Sequence, residues 1–458
     1  MSGSLLPGAG LRTESAGSVL LGGQPFRVLR LSPGGAAKVR SWFAGLAQPE
    51  SQAELELAGR LVAAGLAHPQ PSPARLPCHI VIPFHGSVDE LEATLAPLRQ
   101  AAPASITVVD DGSEPPIPPL DDVTLLRHDR PAGPGAARNT GWRHVAKTKP
   151  NAEIVVFLDG GVITQAPEQP GQPSWLDQLA GHLVDADVAA VAPRVASTPG
   201  TTAIDHYEQL FSPLDLGPAP SLVGPGRMVT YVPTACLMLR LADLDAADGF
   251  DESLRYGEDV DLIWRIGESK QVRYDPSVVV HHGPRTTLKS FATQRFHYAS
   301  AAAPLDLRHP HASAPWRSSL VGVAGVALLS LGHPVAGMLI GFAPTTLLAD
   351  QLRQTNTPTA TSLRLLGAGH RWALRSFAES TCRSWSGVAA MAAMIPACRT
   401  AAFVWMAAGW MRRITATRSP RLLALGVVDD VSYGAGAAVG AARHRSMRSL
   451  LPAISKWG

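Results

Sequence analysis

Two carboxylates side by side at the end of an apolar run, Ile106-Thr-Val-Val-Asp-Asp-Gly-Ser113, are the first residues in the chain whose types suit chemistry. A run of that composition suits a buried strand. Asp110 and Asp111, at its end and beside a Gly-Ser turn, can accept hydrogen bonds from a nucleobase imide or a ribose hydroxyl. The same string also reads as a plain capped turn. Further on, Gly133-Pro-Gly-Ala-Ala-Arg-Asn-Thr-Gly141 has small residues that let a backbone come close to a ligand. Arg138 within it sets a fixed cation near a base or a diphosphate. The other reading is a glycine-rich helix start packed on a sheet.

Both strings need a layered scaffold. From residue 78 to 303 short apolar runs alternate with helical periodicity, the pattern of an α/β domain with a largely parallel sheet. Residues 79–83, 106–110, 123–127, 154–159 and 188–192 read as strands, and 88–100, 135–146 and 174–184 as helices. Several strands end in acidic or polar residues, where open α/β sheets place their ligands. Ahead of this domain, residues 17–68 read as a small α+β unit with two strands around Gly22-Gly23. Ser32 and Pro33 then start a helix, and a second helix ends at Gly65. Such units bind peptides or nucleic acid, or serve as structural extensions. Residues 1–16 are expected to be disordered, and the Pro-rich segment 69–77 to be a linker.

With 46% hydrophobic and only 17% charged residues, against about 25% charged in ordinary soluble chains, a disordered or highly solvated protein is excluded. The net charge of +3 hides an asymmetry: residues 351–458 hold 14 basic and 3 acidic side chains. Basic residues interleaved with uncharged stretches suit an anionic membrane surface, and the aromatic-basic platforms of a nucleic-acid binder are missing. Residues 318–349 contain no charged residue, long enough for a bilayer span, yet Gly332-His333-Pro334 and Pro344 interrupt them. A span, a re-entrant hairpin and a buried helix pair all stay open. Residues 384–411 are similarly apolar but carry Arg399 at their centre, which favours an interfacial helix. Cys78, Cys236, Cys382 and Cys398 lack CxxC spacing, so neither a zinc site nor a disulfide framework is indicated, and a reduced, cytosolic compartment is expected. The first residues carry no signal-peptide pattern.

Taken together, the Asp-Asp-Gly-Ser and Gly-x-x-x-Ala-Arg-Asn-x-Gly strings, with Pro83 in Val81-Ile-Pro-Phe84, resemble the family 2 glycosyltransferases of the GT-A fold over residues 78–285. The resemblance implies a nucleotide-diphospho-sugar donor held by Pro83, Asp110, Asp111, Arg138 and Asp159. It also implies a divalent metal, magnesium or manganese, on the diphosphate. The family's Asp-x-Asp stands here as Asp159-Gly-Gly161, with one carboxylate missing. A magnesium-type ion keeps several waters, so one carboxylate plus the donor's phosphates could still hold it, at lower affinity. A second ligand is expected from His281 or His282. They end an apolar strand and point to opposite faces, so one of the two would reach the cleft unless both lie in a surface turn. Glu258-Asp259 matches the family's Glu-Asp helix. Asp259 is then the base that deprotonates the acceptor hydroxyl, Glu258 orients it or binds an acceptor hydroxyl, and Asp261 faces another way. An acidic first turn complementing the helix dipole is the alternative. Tyr207 and Tyr231 are expected along the acceptor's path or in the core.

Across its length the chain is similar to the glycosyltransferases of mycofactocin biosynthesis, in Phe26-Arg-Val-Leu-Arg-Leu-Ser-Pro33, Tyr256-Gly-Glu-Asp-Val-Asp-Leu-Ile-Trp264 and Val428-Asp-Asp-Val-Ser-Tyr-Gly-Ala-Gly436. That likeness implies an enzyme adding glucose from UDP-glucose to a peptide-derived redox cofactor, and an N-terminal unit like peptide-recognising domains. With one base and direct displacement the transfer is expected to invert, and the charge and apolar pattern is expected to make residues 304 to 458 a helical region associated with the cytoplasmic face of the membrane. Transfer to a polyprenyl phosphate or another lipid or glycan, and non-catalytic binding of a nucleotide sugar, are the competing readings.

Overall fold

Alternating β-branched and aliphatic residues make the centre of the chain a sheet, and the computed structural model describes residues 3–166, 169, 171–342, 350 and 359–455. The N-terminal part contains strands β1 (Ser4–Pro7), β2 (Arg12–Glu14), β3 (Val19–Gly22) and β4 (Arg27–Arg30), helices α1 (Pro33–Phe43) and α2 (Gln52–Ala63), and strand β5 (Ala67–Gln70). Ser32 caps α1 by accepting from the Gly35 amide, and Ser51 with Glu54 forms a capping box on α2. Val39, Trp42, Leu61 and Val62 pack with Leu5, Leu20 and Leu66 into the unit's own core. Two expectations change here. Residues 1–16 contribute β1 and β2, because β1 pairs antiparallel with β5 (Ser4 opposite Gln70) and so has a partner far along the chain. For the same reason the linker 69–77 begins inside a strand.

The next strands and helices are β6 (Cys78–Phe84), α3 (Val88–Gln100), β7 (Ser105–Asp110), β8 (Thr124–Arg127), α4 (Pro134–Thr148), β9 (Ile154–Leu158) and β10 (Val162–Ile163). They are followed by α5 (Trp175–Ala180), β11 (Val188–Ser197), α6 (Ala203–Phe211), β12 (Ser221–Leu222), β13 (Cys236–Arg240), α7 (Leu241–Ala246), α8 (Glu258–Gly267) and β14 (Gln271–His282). The described strands order as β10-β14-β11-β13-β9-β6-β7-β8, with β12 on β14. The sheet is mixed rather than largely parallel, because β13 runs antiparallel to both of its neighbours. Leu91, Leu95 and Leu98 of α3 bury against Ile80, Ile82 and Val108 on one face. On the other face α4 lies so close that a Cβ on Gly141 would stand 2.3 Å from the Val81 side chain. The carboxyl ends of β6, β7 and β9 therefore bring Pro83, Asp110 and Asp159 to one rim of the sheet.

Residues 201–210 and 285–458 form a separate compact unit. It holds most of α6, with α9 (Leu288–Ser300), α10 (Ala302–Arg308), α11 (Leu320–Ser330), α12 (Pro334–Phe342) and the helices Thr359–Cys382, Ser386–Met394, Arg399–Ala416 and Pro420–Arg443. Glycines let the last of these meet α9 backbone to backbone: a Cβ at Gly436 would lie 2.1 Å from the Phe296 carbonyl oxygen. A buried charge network ties the unit together. Asp429 meets Arg295 at 3.3 Å and Arg383 at 3.0 Å, Asp430 accepts from Arg413 at 2.9 Å, and Arg295 also pairs with Glu208.

The apolar run 318–349 is not one spanning helix. Gly332-His333-Pro334 divides it into α11 and α12, and the 11 residues of α11 rise only ~16 Å, against ~30 Å of hydrocarbon. Pro344 and the rest of 343–349 lie outside the described residues. Arg399 opens its helix instead of sitting at the centre of one. Among the described residues one helix, Pro420–Arg443, is long and apolar enough to cross a membrane, and it carries Asp429 and Asp430 of the buried network. All four cysteines are free.

Candidate active site

Asp110 ends β7 fully buried, and every bond it makes is internal. One oxygen accepts from the Ser113 amide at 2.8 Å, the other from the Ile117 amide at 3.4 Å and from the Arg127 guanidinium. Burial pushes its pKa up, but the hydrogen bonds from Ser113, Ile117 and Arg127 outweigh it and leave the carboxyl below its usual range. A buried carboxylate so occupied cannot also hold a nucleotide, so the expectation for Asp110 is corrected: it builds the turn. Asp111, 8% exposed, reaches the loop ahead of α4, accepting from the Ala132 and Gly133 amides at 2.8 Å each and bonding the His128 ring at 2.7 Å. Gly112 between them and Ser113 has φ +78°, and a side chain there would also strike Pro131.

With its loop held by Asp111, α4 aims Arg138 inward. The guanidinium donates from Nη2 to Asp159 Oδ1 at 2.7 Å and from Nη1 to Glu258 Oε1 at 2.9 Å, over the Phe250 ring at 5.4 Å. Gly135, one turn earlier, leaves room for Glu258: a Cβ there would already touch its Cγ at 3.5 Å. Asn139 accepts from the Phe250 amide at 2.9 Å and donates to the Phe250 carbonyl at 2.8 Å, fixing the segment that leads into α8. This holding role is legible only as the Asn beside the motif's Arg, and sequence reasoning passed over it.

Gly257, at φ +80°, turns the chain into α8, whose first two residues are Glu258 and Asp259. Burial and the neighbouring Asp259 push Glu258 up to about 7 against the pull of Arg138, and burial raises Asp259 too. The Val260 amide donates to Asp259 at 2.8 Å, and the Thr234 backbone bonds it as well, so the segment before β13 touches this carboxylate. Trp264 Nε1 donates to the Thr230 carbonyl at 2.7 Å and steadies the same segment. Asp261 is turned to Arg265, 2.8 Å away, as expected. Tyr231 is half-buried. Of the two readings for Tyr207 the structure takes the core one: it is fully buried in the helical unit, donating to Asp429 at 2.9 Å.

Arg138, Asp159, Glu258 and Asp259 thus form one charge cluster drawn from α4, the end of β9 and the start of α8. Asp159 keeps partial exposure, with its side chain 31% accessible. Gly161, where a second carboxylate was missed, has φ +86° and open space around it, and its amide donates to Thr94 at 2.9 Å. His281 and His282 pair with Ile163 and Val162 of β10, the strand that follows this loop, and His282 Nδ1 bonds the Gly283 carbonyl at 2.8 Å. Among the described residues no three His, Cys, Asp or Glu side chains gather as a metal centre. The donor set fits only an ion that takes most of its ligands from phosphates and water, with Asp159 as the protein oxygen. Pro83, half-buried, flanks the turn from β6.

Residues 79–244 match the family model described as Glycosyl transferase family 2. Over 469 aligned positions the chain is 33% identical to the pre-mycofactocin glycosyltransferases of Mycobacterium tuberculosis strains CDC 1551 / Oshkosh and ATCC 25618 / H37Rv, covering 97% of this chain and 96% of each relative. Among solved structures, a mannosyltransferase from Pyrobaculum calidifontis in complex with GDP-Man and Mn2+ is 16% identical. It covers 78% of this chain and 88% of its own, with a TM-score of 0.37, too low a likeness to argue from.

Proposed function

We propose, for a chain that belongs to the pre-mycofactocin glycosyltransferases and carries a family 2 glycosyltransferase domain, that it transfers glucose from UDP-glucose, with inversion, to the peptide-derived cofactor mycofactocin and extends it into a short glucan. The observation that carries this reading is the convergence of Arg138, Asp159 and Glu258, two hydrogen bonds under 3 Å, with Asp259 beside them. An acceptor hydroxyl at Asp259 loses its proton to that carboxylate as its oxygen attacks the anomeric carbon. The bond to the diphosphate breaks on the opposite face and the diphosphate leaves with the electron pair. One displacement without a protein nucleophile inverts the centre. Glu258 and Arg138 orient the base, Asp111 and Pro83 flank the nucleotide, and Asp159 with His281 or His282 would hold a magnesium or manganese ion. That ion, when bound, neutralises charge on the leaving diphosphate.

Incubating the purified protein with a panel of radiolabelled sugar nucleotides, with and without manganese, tests the donor. Label from UDP-glucose should appear in the peptide-derived acceptor. Label from another sugar, or label in polyprenyl phosphate alone, would overturn the assignment.

The helical region is proposed to rest on the cytoplasmic membrane face. Leu331, Val335, Met338 and Leu339 around α12, and Met394, Phe403 and Val404 further on, are exposed apolar side chains in a region, 304–458, where basic residues outnumber acidic 16 to 5. Vesicles of phosphatidylglycerol should carry the protein upward in a density gradient and neutral phosphatidylcholine much less. Recovery at the bottom with both would remove the membrane from the account.

A further inference from the structure

A cavity of ≈ 220 Å³ opens where the β1–β5 ribbon of the N-terminal part meets the beginning of β14. One water's share of liquid volume is ~30 Å³, so the cavity is roomy. Its walls include Pro69, Pro218, Pro220, Pro276, Leu222 and Tyr274. A bulge in β14 shapes one side: the register with β11 steps from Pro193 opposite Asp275 to Arg194 opposite Val279, which leaves 276–278 unpaired against β11. Ala192 lies opposite Tyr274 and Ala196 opposite His281, so four residues of β11, ~13 Å, separate the cavity from the histidine pair. The cavity is therefore a place apart from the histidine pair, and none of Arg138, Asp159, Glu258 and Asp259 lines it.

The charges in its walls are already matched. Arg273 donates to Asp185 at 3.0 Å, and Asp275 is held by His182 at 2.9 Å. Tyr274 donates to the Gly217 carbonyl, Ser221 to the Leu222 carbonyl and Ser277 to Asp275. Arg273 Nε and His182 Nδ1 have no partner, but both atoms are sealed from solvent. His68 is different. It is 92% buried in the wall, its ring makes no hydrogen bond among the described residues, and its nitrogens are not sealed. Burial, with Arg273 and Arg227 nearby, lowers its pKa to about 4, so near neutral pH the ring is uncharged, with one N–H and one lone pair to offer.

We propose that this cavity binds an uncharged ring bearing a single hydroxyl, a phenol-like group, with the apolar body against the prolines and the hydroxyl on His68. A phosphate or carboxylate would find no unmatched cation in the walls, since Arg227 lies outside them and donates to the Gln24 carbonyl at 3.0 Å. A hexose, with hydroxyls around its whole rim, would lose hydrogen bonds to water that these walls cannot replace. An apolar body with one polar tip suits them.

Saturation-transfer NMR with p-cresol as probe tests this on the full chain. Saturable binding is expected, at least tenfold weaker for benzoate and for glucose. Ser277→Trp, at an exposed rim position, should weaken p-cresol at least tenfold by filling the mouth. His68→Leu should bring p-cresol down to the level of toluene. A second arm with a short peptide ending in tyrosinamide distinguishes a peptide-borne ring, which would bind more tightly than p-cresol, from a free one, which would not. Absence of saturable p-cresol binding, binding indifferent to Ser277→Trp, or a preference for benzoate or glucose overturns the proposal. Because none of these readouts involves sugar transfer, failure here and failure of the donor assignment are separate results.

Discussion

Asp259→Asn should lower turnover by at least ~100-fold, the scale of removing a general base, while the protein stays folded and still binds its nucleotide donor. The side chain keeps its size and its acceptor oxygen for the Val260 amide, but it can no longer take a proton from the acceptor hydroxyl. Arg138 retains Asp159 and Glu258 as partners. Activity in the parent should rise with pH through the range of the coupled pair, since the base works only when deprotonated and Glu258 is pushed up to about 7. Stability should run the other way. Glu258 has its folded pKa raised from 4.5, so the folded state binds more protons than the unfolded one between about 4.5 and about 7. The contribution is complete below that window and is lost as pH climbs through it. Replacing Asp259 removes a like charge beside Glu258, so the variant's melting temperature should fall less between pH 5 and pH 8 than the parent's. Initial rates with UDP-glucose and thermal melts at both pH values check the pair of claims. An Asn variant keeping a tenth or more of the turnover would move the base elsewhere.

What could be read in advance divides by distance along the chain. Helix α3 spans Val88–Gln100, the range its sequence pattern predicts, because its start depends on Ser87 and Glu90 alone, a local capping box. Strand β7 and helix α4 were equally legible, since one apolar run and one small-residue string define them. The order of the charged motifs also pointed to the cluster, because each lies at an element end that the sheet brings to one rim. What stayed hidden depends on partners far away in sequence. Asp110 looked free because Ile117 and Arg127, which occupy it, belong to no motif. Residues 1–16 looked disordered because β1 finds its partner only at β5. For Tyr207 the acceptor's path and the core stayed equally open, because its position between motifs does not show that the chain leaves the catalytic domain at 201–210 to lend that helix to the other unit. Counting charges in 318–349 showed an apolar stretch, and Gly332-His333-Pro334 stood out as an interruption without deciding between a span, a hairpin and a helix pair; its turn ends α11 after 11 residues, short of a bilayer's thickness.

Arg138→Met should cost both fold and function. The guanidinium is nearly inaccessible and is the cation bonded to Asp159 and Glu258, with Asp259 close enough to feel it. Without it three carboxylates share one partly buried space. Breaking a buried pair by removing one partner costs ~3–5 kcal/mol, because the remaining charge is left uncompensated. The loss should depend on pH in a way a simple packing defect would not. Removing the cation raises the folded pKa values of the carboxyls further, so protonation relieves the repulsion, and the deficit relative to the parent should be largest near pH 8 and shrink toward pH 5. Arg138→Lys retains a charge but lacks the planar fork that reaches two carboxylates at once. It should recover part of the stability and little of the turnover. Urea unfolding of the parent and both variants at pH 5.5 and pH 8, with initial rates alongside, measures these differences. If Met at this position left the unfolding midpoint unchanged at both pH values, the guanidinium would not be what holds the carboxylates together, and the cluster would need another explanation.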